Sequence, residues 1–117
     1  MSRSVPFYRL LGLDFLDGAE TEDHVEAALP GGTRLMLDTD EVVASFNPSH
    51  TPAVGAGRIS LAFLCRDAVV VDKTYADVVQ AGHHGARRPF DAFWGQRYAT
   101  VLDPDGTSID LFARLDT

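Results

Sequence analysis

Few side chains in this chain of 117 residues have the types and spacing for chemistry, and Asp110 is the foremost of them. It stands between Ile109 and Leu111 in an alternating run, so two apolar neighbours face one layer and the carboxylate faces the other. Such a carboxylate can accept hydrogen bonds from a bound molecule or act on it as a general base. The other reading is an ion pair with Arg34 or Arg97 on a neighbouring strand, because a partly buried charge requires a partner. Phe90, Phe93, Trp94, Tyr98 and Phe112 supply aromatic surface close by in sequence. Trp94, in a loop, reads as a ligand contact, whereas Phe90 and Phe93 read as core packing.

The remaining reactive types are less organised. His83 and His84 are adjacent, and adjacent side chains diverge on most backbones; with no cysteine or acidic cluster beside them they read as a solvated connector. His24 reads as a strand-surface residue and His50 as a loop residue. Cys65 is the single cysteine and lies in an apolar run, which makes it a buried, inert thiol rather than half of a disulfide. A Ser/His/Asp order with a nucleophile elbow, a phosphate-cradling glycine loop and zinc-finger spacing are all missing from the sequence.

Elements must hold these residues in place. Gln96 to Leu102 and Ser108 to Phe112 read as strands joined by Asp103-Pro104-Asp105-Gly106, where proline presets one backbone angle and glycine accepts a positive one. Upstream, Ser4 is placed to cap a helix with Pro6 in its first turn, Phe7, Leu10 and Leu11 at helical spacing, and Gly12 as its stop. Leu13 to Leu16 reads as a strand before an Asp17-Gly18 turn. Asp23 to Leu29 and Thr33 to Asp38 form a hairpin around Pro30-Gly31-Gly32, with Leu35 and Leu37 on one face and Arg34, Met36 and Asp38 on the other. Thr39 to Gly57 reads as a long loop in which Phe46 either closes over a ligand or anchors the loop. Arg58 to Arg66 is a strand with Leu61, Phe63 and Cys65 on one face and Ser60, Ala62 and Leu64 on the other. Asp67 caps a helix carrying Val71, Tyr75, Val78 and Val79 and ending at Gly82. A short edge strand then ends at Pro89.

The Trp94-Gly95-Gln96-Arg97 opening, the strand, the Asp103-Pro104-Asp105-Gly106 turn and the closing strand with an acid at its centre resemble the last part of the vicinal-oxygen-chelate superfamily. That superfamily holds glyoxalase I, bleomycin-resistance proteins and extradiol dioxygenases. Ser4-Val5-Pro6-Phe7-Tyr8-Arg9-Leu10-Leu11-Gly12-Leu13 is similar to the family's first helix and its exit. The resemblance implies an α+β fold in which two βαβββ half-modules form a cupped mixed sheet with helices on the convex side. One domain over 1–117 then comprises modules of roughly 1–57 and 58–117. The first strand of module one is absent. Either the natural start lies upstream, or the first half has three strands and exposes an edge that favours a homodimer. Metal-dependent members bind a divalent ion with four side chains. Carried over, the second position falls on Met36, the third on Ser60 and the fourth on Asp110, while the first lies on the missing strand. A thioether and a neutral hydroxyl do not replace His and Glu, so no metal and no other cofactor is expected.

Ten Lys and Arg against seventeen Asp and Glu leave a net charge of −7, which repels phosphate backbones and anionic lipid. Nucleic acid and membrane are therefore excluded as partners, no apolar run approaches a membrane span, and a cytoplasmic location is expected. The function expected is that of a metal-free small-molecule-binding protein of the bleomycin-resistance type. Its aromatic or hydrophobic ligand would meet Met36, Phe46, Ser60, Trp94, Tyr98, Asp110 and Phe112. Two alternatives are an enzyme with Asp110 as base and a metal-dependent lyase, epimerase or dioxygenase.

Overall fold

A computed structural model describes residues 1–52 and 59–115. The fold is α+β, and the chain divides into two compact units, Met1–Ala53 and Val54–Thr117.

The first unit runs α1 (Ser4–Leu10), β1 (His24–Ala28), β2 (Arg34–Asp38) and α2 (Asp40–Phe46). No strand precedes α1 among the described residues. α1 buries Val5, Phe7 and Tyr8. Its N-cap is Arg3, which makes no side-chain capping bond, so Ser4 is the first helical residue and not the cap expected of it. The stop is as expected. Gly12 takes φ +94°, and the N–H groups of Gly12 and Leu13 reach back to the carbonyls of Arg9 and Tyr8, the paired closure that a left-handed glycine permits.

Leu13 to Leu16 joins no strand ladder among the described residues, although its burial alternates. A side chain takes the carbonyls instead: the Arg9 guanidinium donates to Phe15 O at 3.4 Å and Leu16 O at 3.0 Å while pairing with Glu20 at 3.0 Å. β1 and β2 pair antiparallel with His24 opposite Asp38 and Ala28 opposite Arg34. This hairpin buries Val25 and Ala27 and exposes His24, Glu26, Arg34, Met36 and Asp38.

The long loop expected from Thr39 onward begins as a helix. Thr39 Oγ1 accepts the Val42 N–H at 3.3 Å, and Asp40 and Glu41 occupy the first turn, where the helix dipole favours negative charge. α2 buries no residue, so its apolar stripe is too thin to dominate the sequence pattern. Residues 47–52 are irregular, as expected; positions 53–58, which hold the end of that loop and the start of the strand expected from Arg58, lie outside the described residues.

The second unit is a complete βαβββ module: β3 (Ser60–Leu64), α3 (Ala68–Gln80), β4 (Gly85–Ala92), β5 (Gln96–Leu102) and β6 (Ser108–Arg114). The strands lie in the order β3-β6-β5-β4, with β3 parallel to β6 and the other pairs antiparallel. Asp67 caps α3 by accepting the Val70 N–H at 3.0 Å. Val71 and Val78 are fully buried, as are Ala99, Val101 and Ile109. Together with Leu111 they form the core under α3, each large apolar side chain contributing about 1.5–3 kcal/mol by leaving water. Val79, expected in that stripe, is 41% exposed.

Pro89 does not end β4. That strand is the sheet edge, where a missing N–H leaves no ladder bond unmade, and register shifts between Gly85 and Arg87 and between Arg87 and Phe90 absorb the irregularity.

Candidate functional site

α3 covers one face of the second unit's sheet and leaves the other open to chemistry. The pairing of β5 with β6 sets Thr100 opposite Asp110 and Tyr98 opposite Phe112. Ile109 and Leu111 are buried on the helix side, so Asp110 projects from the opposite face and is half-buried there. Both carboxylate oxygens are engaged: Tyr98 Oη donates to Oδ2 at 2.6 Å and Thr100 Oγ1 donates to Oδ1 at 2.9 Å. Neither arginine expected as its partner plays that role. Arg97 lies opposite Ala113 on the helix side and clasps Asp72 of α3 at 2.9 and 3.2 Å and Asp91 of β4 at 3.0 Å; Arg34 pairs with Glu26.

Burial, then the hydrogen bond to Asp110 and its charge, push the Tyr98 phenol up to about 12. The phenol therefore stays protonated throughout the physiological range and remains a donor. A raised pKa of this kind contributes stability that is intact below the ordinary value of 10 and is lost as pH rises from there through 12.

Aromatic side chains flank this polar row. Tyr98 stacks with Phe112 at a centroid separation of 6.2 Å, Trp94 meets Tyr98 edge-on at 5.5 Å, and Phe90 meets both Trp94 and Tyr98 at 6.3 Å. Trp94 lies in the β4–β5 turn, donates Nε1–H to Gln96 Oε1 at 2.8 Å, and is 50% exposed. Phe90 is half-buried, but Phe93 is 97% exposed and packs in no core; its ring stands nearly perpendicular to that of Trp94, with centroids 5.0 Å apart. Ser60 lies on the same open face, opposite Ser108 in the row beyond Ala62 and Asp110.

The structure thus brings Trp94, Tyr98, Asp110 and Phe112 together in the second unit, with Ser60 on the same face. Met36 and Phe46 belong to the first unit, where Met36 is 53% exposed on the hairpin face opposite Val25 and Ala27 and Phe46 is 69% exposed at the end of α2. Sequence reasoning missed Thr100, although a hydroxyl two residues from Tyr98 in one strand must share its face.

It also missed a charged group on the first hairpin. His24 pairs through Nδ1 with Asp38 and through Nε2 with Glu26 at 2.8 Å, and Glu26 also takes Arg34. The hydrogen bond to Glu26, then that to Asp38, raise the His24 pKa, while His24 holds Glu26 below its ordinary value. The pairing is complete where imidazolium and carboxylates coexist. It weakens as pH rises through the raised His24 value or falls through the lowered Glu26 value.

Two hollows stand apart from Asp110. One of about 680 Å³ in the first unit is lined by Phe15, Leu16, Val25, His24, Glu26 and Arg34 among others; one of about 930 Å³ in the second runs along the edge strand β4, lined by Asp72, Tyr75 and Arg97 from the helix side and also by Arg87 and Phe90, whose strand partners are Thr100 and Tyr98. Both are open concavities, and hydrogen-bond geometry, not volume, distinguishes the Asp110 face.

The donor set does not fit a divalent metal. No group of three His, Cys, Asp or Glu side chains among the described residues converges on a common point. Of the carried-over positions, Met36 offers a thioether and Ser60 a neutral hydroxyl, and neither replaces His or Glu.

The model of the Glyoxalase/Bleomycin resistance protein/Dioxygenase superfamily matches residues 1–111. No curated protein matches the sequence. Among solved structures, a glyoxalase-related enzyme from Fulvimarina pelagi is 18% identical, with a TM-score of 0.80 over 97% of this chain and 80% of that one. A hypothetical protein from S. aureus is also 18% identical, with a TM-score of 0.78 over 97% and 84%. A protein from Agrobacterium tumefaciens is 26% identical, with a TM-score of 0.64 over 97% and 87%. No helix among the described residues is long and apolar enough to cross a membrane.

The hydroxyl–carboxylate geometry is testable by titration. With tyrosine rings labelled for NMR, Tyr98 should ionise near 12 in the native chain, and Asp110→Asn should lower that midpoint while burial keeps it above 10. An unchanged midpoint would show that Asp110 does not govern the phenol.

Proposed function

The chain belongs to the Glyoxalase/Bleomycin resistance protein/Dioxygenase superfamily, and on that premise we propose that it is a metal-free binding protein of the bleomycin-resistance type for an aromatic or hydrophobic small molecule. The observation that carries this reading is a carboxylate held by two hydroxyls beside a half-exposed tryptophan. Asp110 is fixed by Tyr98 and Thr100, so it needs no reorganisation to accept a ligand donor with its remaining lone pairs. Trp94, Tyr98, Phe90 and Phe112 offer edges and faces on which a flat ligand stacks, and each ring contact is worth about 0.5–1.5 kcal/mol beyond area burial.

Asp110 is read here as an orienting acceptor, held in place by the two hydroxyls. A metal-dependent lyase, epimerase or dioxygenase gains no support from the described residues. A cytoplasmic setting belongs to the same proposal, and the single cysteine needs no oxidising compartment.

A homodimer is also part of this reading. The β1–β2 ladder has only two strands among the described residues, and a two-stranded ladder is marginal alone, so its open edges favour a partner. Light scattering of the purified chain should give twice the chain mass; a monomer at high concentration contradicts the dimer.

The binding function is tested by thermal melts against natural products and aromatic metabolites, with Trp94, the single tryptophan, as a fluorescent reporter. A ligand at a hundred times its Kd should stabilise the chain by about 2.7 kcal/mol and perturb Trp94 emission. Asp110→Asn should weaken both responses, and Trp94→Ala should weaken the thermal shift. A screen without a single ligand-dependent shift contradicts the proposal.

A further inference from the structure

Two register shifts in β4 place Arg87 opposite Thr100, in the row that already holds Ala62, Asp110 and Thr100. The next row is Leu64, Phe112, Tyr98 and Phe90. Arg87 and Asp110 are thus separated by one intervening strand, roughly 10 Å along the row, since neighbouring strands lie about 4.8 Å apart. A second contact agrees with the register: the Arg87 guanidinium lies 4.0 Å from the centroid of the Phe90 ring, which itself meets Trp94 and Tyr98.

Arg87 has no anionic partner among the described residues. Arg97, Arg34 and Arg9 all have carboxylate partners, whereas Arg87 has no ion pair and no hydrogen bond among the described residues. Its fork of N–H donors, steadied against Phe90, is matched to a planar carboxylate. The chain's net charge of −7 opposes an anion at long range, but screening reduces distant charges beyond about 8 Å, and contact with a guanidinium prevails at the site.

We infer that Arg87 binds the carboxylate of the ligand, which makes the ligand an aromatic acid. Its ring lies along Phe90, Tyr98 and Trp94, its carboxylate points to β4, and Asp110 repels the opposite orientation. The inference rests on the reading of this face as a binding face and adds polarity to it.

Phenylacetate, neutral phenylacetamide and cationic phenethylamine serve as probes in NMR titrations of the isotope-labelled full chain, with shifts followed at Tyr98 and Phe112. The native chain should bind phenylacetate about fivefold more tightly than phenylacetamide, as a solvent-accessible ion pair allows. Arg87→Gln should erase that preference, weakening phenylacetate more than phenylacetamide, and Arg88→Gln should preserve it. Equal or tighter binding of the amide or amine, or a preference that survives Arg87→Gln or disappears in Arg88→Gln, overturns the role of Arg87. Absence of shifts with all three probes overturns the binding face itself.

Discussion

The register of the β5–β6 hairpin fixes which side chains meet on the open face of the second unit. Asp103 fixes that register. It is 9% exposed, and its Oδ1 accepts the N–H groups of Asp105 at 2.9 Å and Thr107 at 2.8 Å; the Gly106 N–H reaches Asp103 O at 3.0 Å, and Gly106 takes φ +91°, which turns the chain on toward Thr107. The turn closes on the pair Leu102 and Ser108, and every pair below it follows by counting: Thr100 with Asp110, Tyr98 with Phe112. A slip by one residue would send Asp110 into the apolar layer under α3 and bring Ile109 or Leu111 into water, so burial of that layer enforces the same register as the turn.

The two faces of this sheet divide the charges between them. On the helix side Arg97 ties β5 to α3 through Asp72 and to β4 through Asp91, and these bonds hold its pKa above the ordinary value. On the open side Asp110 is satisfied by neutral hydroxyls. Two hydroxyls fill one lone pair on each oxygen and bring no countercharge, whereas an arginine clamp would bring a positive charge with its two N–H donors. That difference separates a residue that can meet a ligand from one that only joins elements.

Much of this was legible where local chemistry and hydrophobic period agree. Asp67 before an apolar stripe marked α3, and Asp103-Pro104-Asp105-Gly106 between two alternating runs marked β5 and β6, the former to the residue. The misses have physical causes. α2 carries its cap, Thr39, and acidic first turn, but buries nothing, so periodicity was a poor guide. Leu13 to Leu16 alternates like a strand, yet its carbonyls go to Arg9, a contact that no local pattern encodes. The expected pairing of Asp110 with Arg97 conflicts with alternation itself, because Tyr98 shares the face of Phe112 and its neighbour Arg97 must therefore face α3. Arg87 was hidden more deeply, since only the irregular register of an edge strand turns it toward the aromatic row.

The central claim is that this chain works by metal-free binding on a hydroxyl–carboxylate and aromatic face. Metal analysis of the native chain, expressed and purified without chelator, tests it most directly. No stoichiometric transition metal should be found. One tightly held zinc, nickel, manganese or iron per chain, lost together with Asp110 on its replacement by alanine, would contradict it and assign that carboxylate to coordination chemistry.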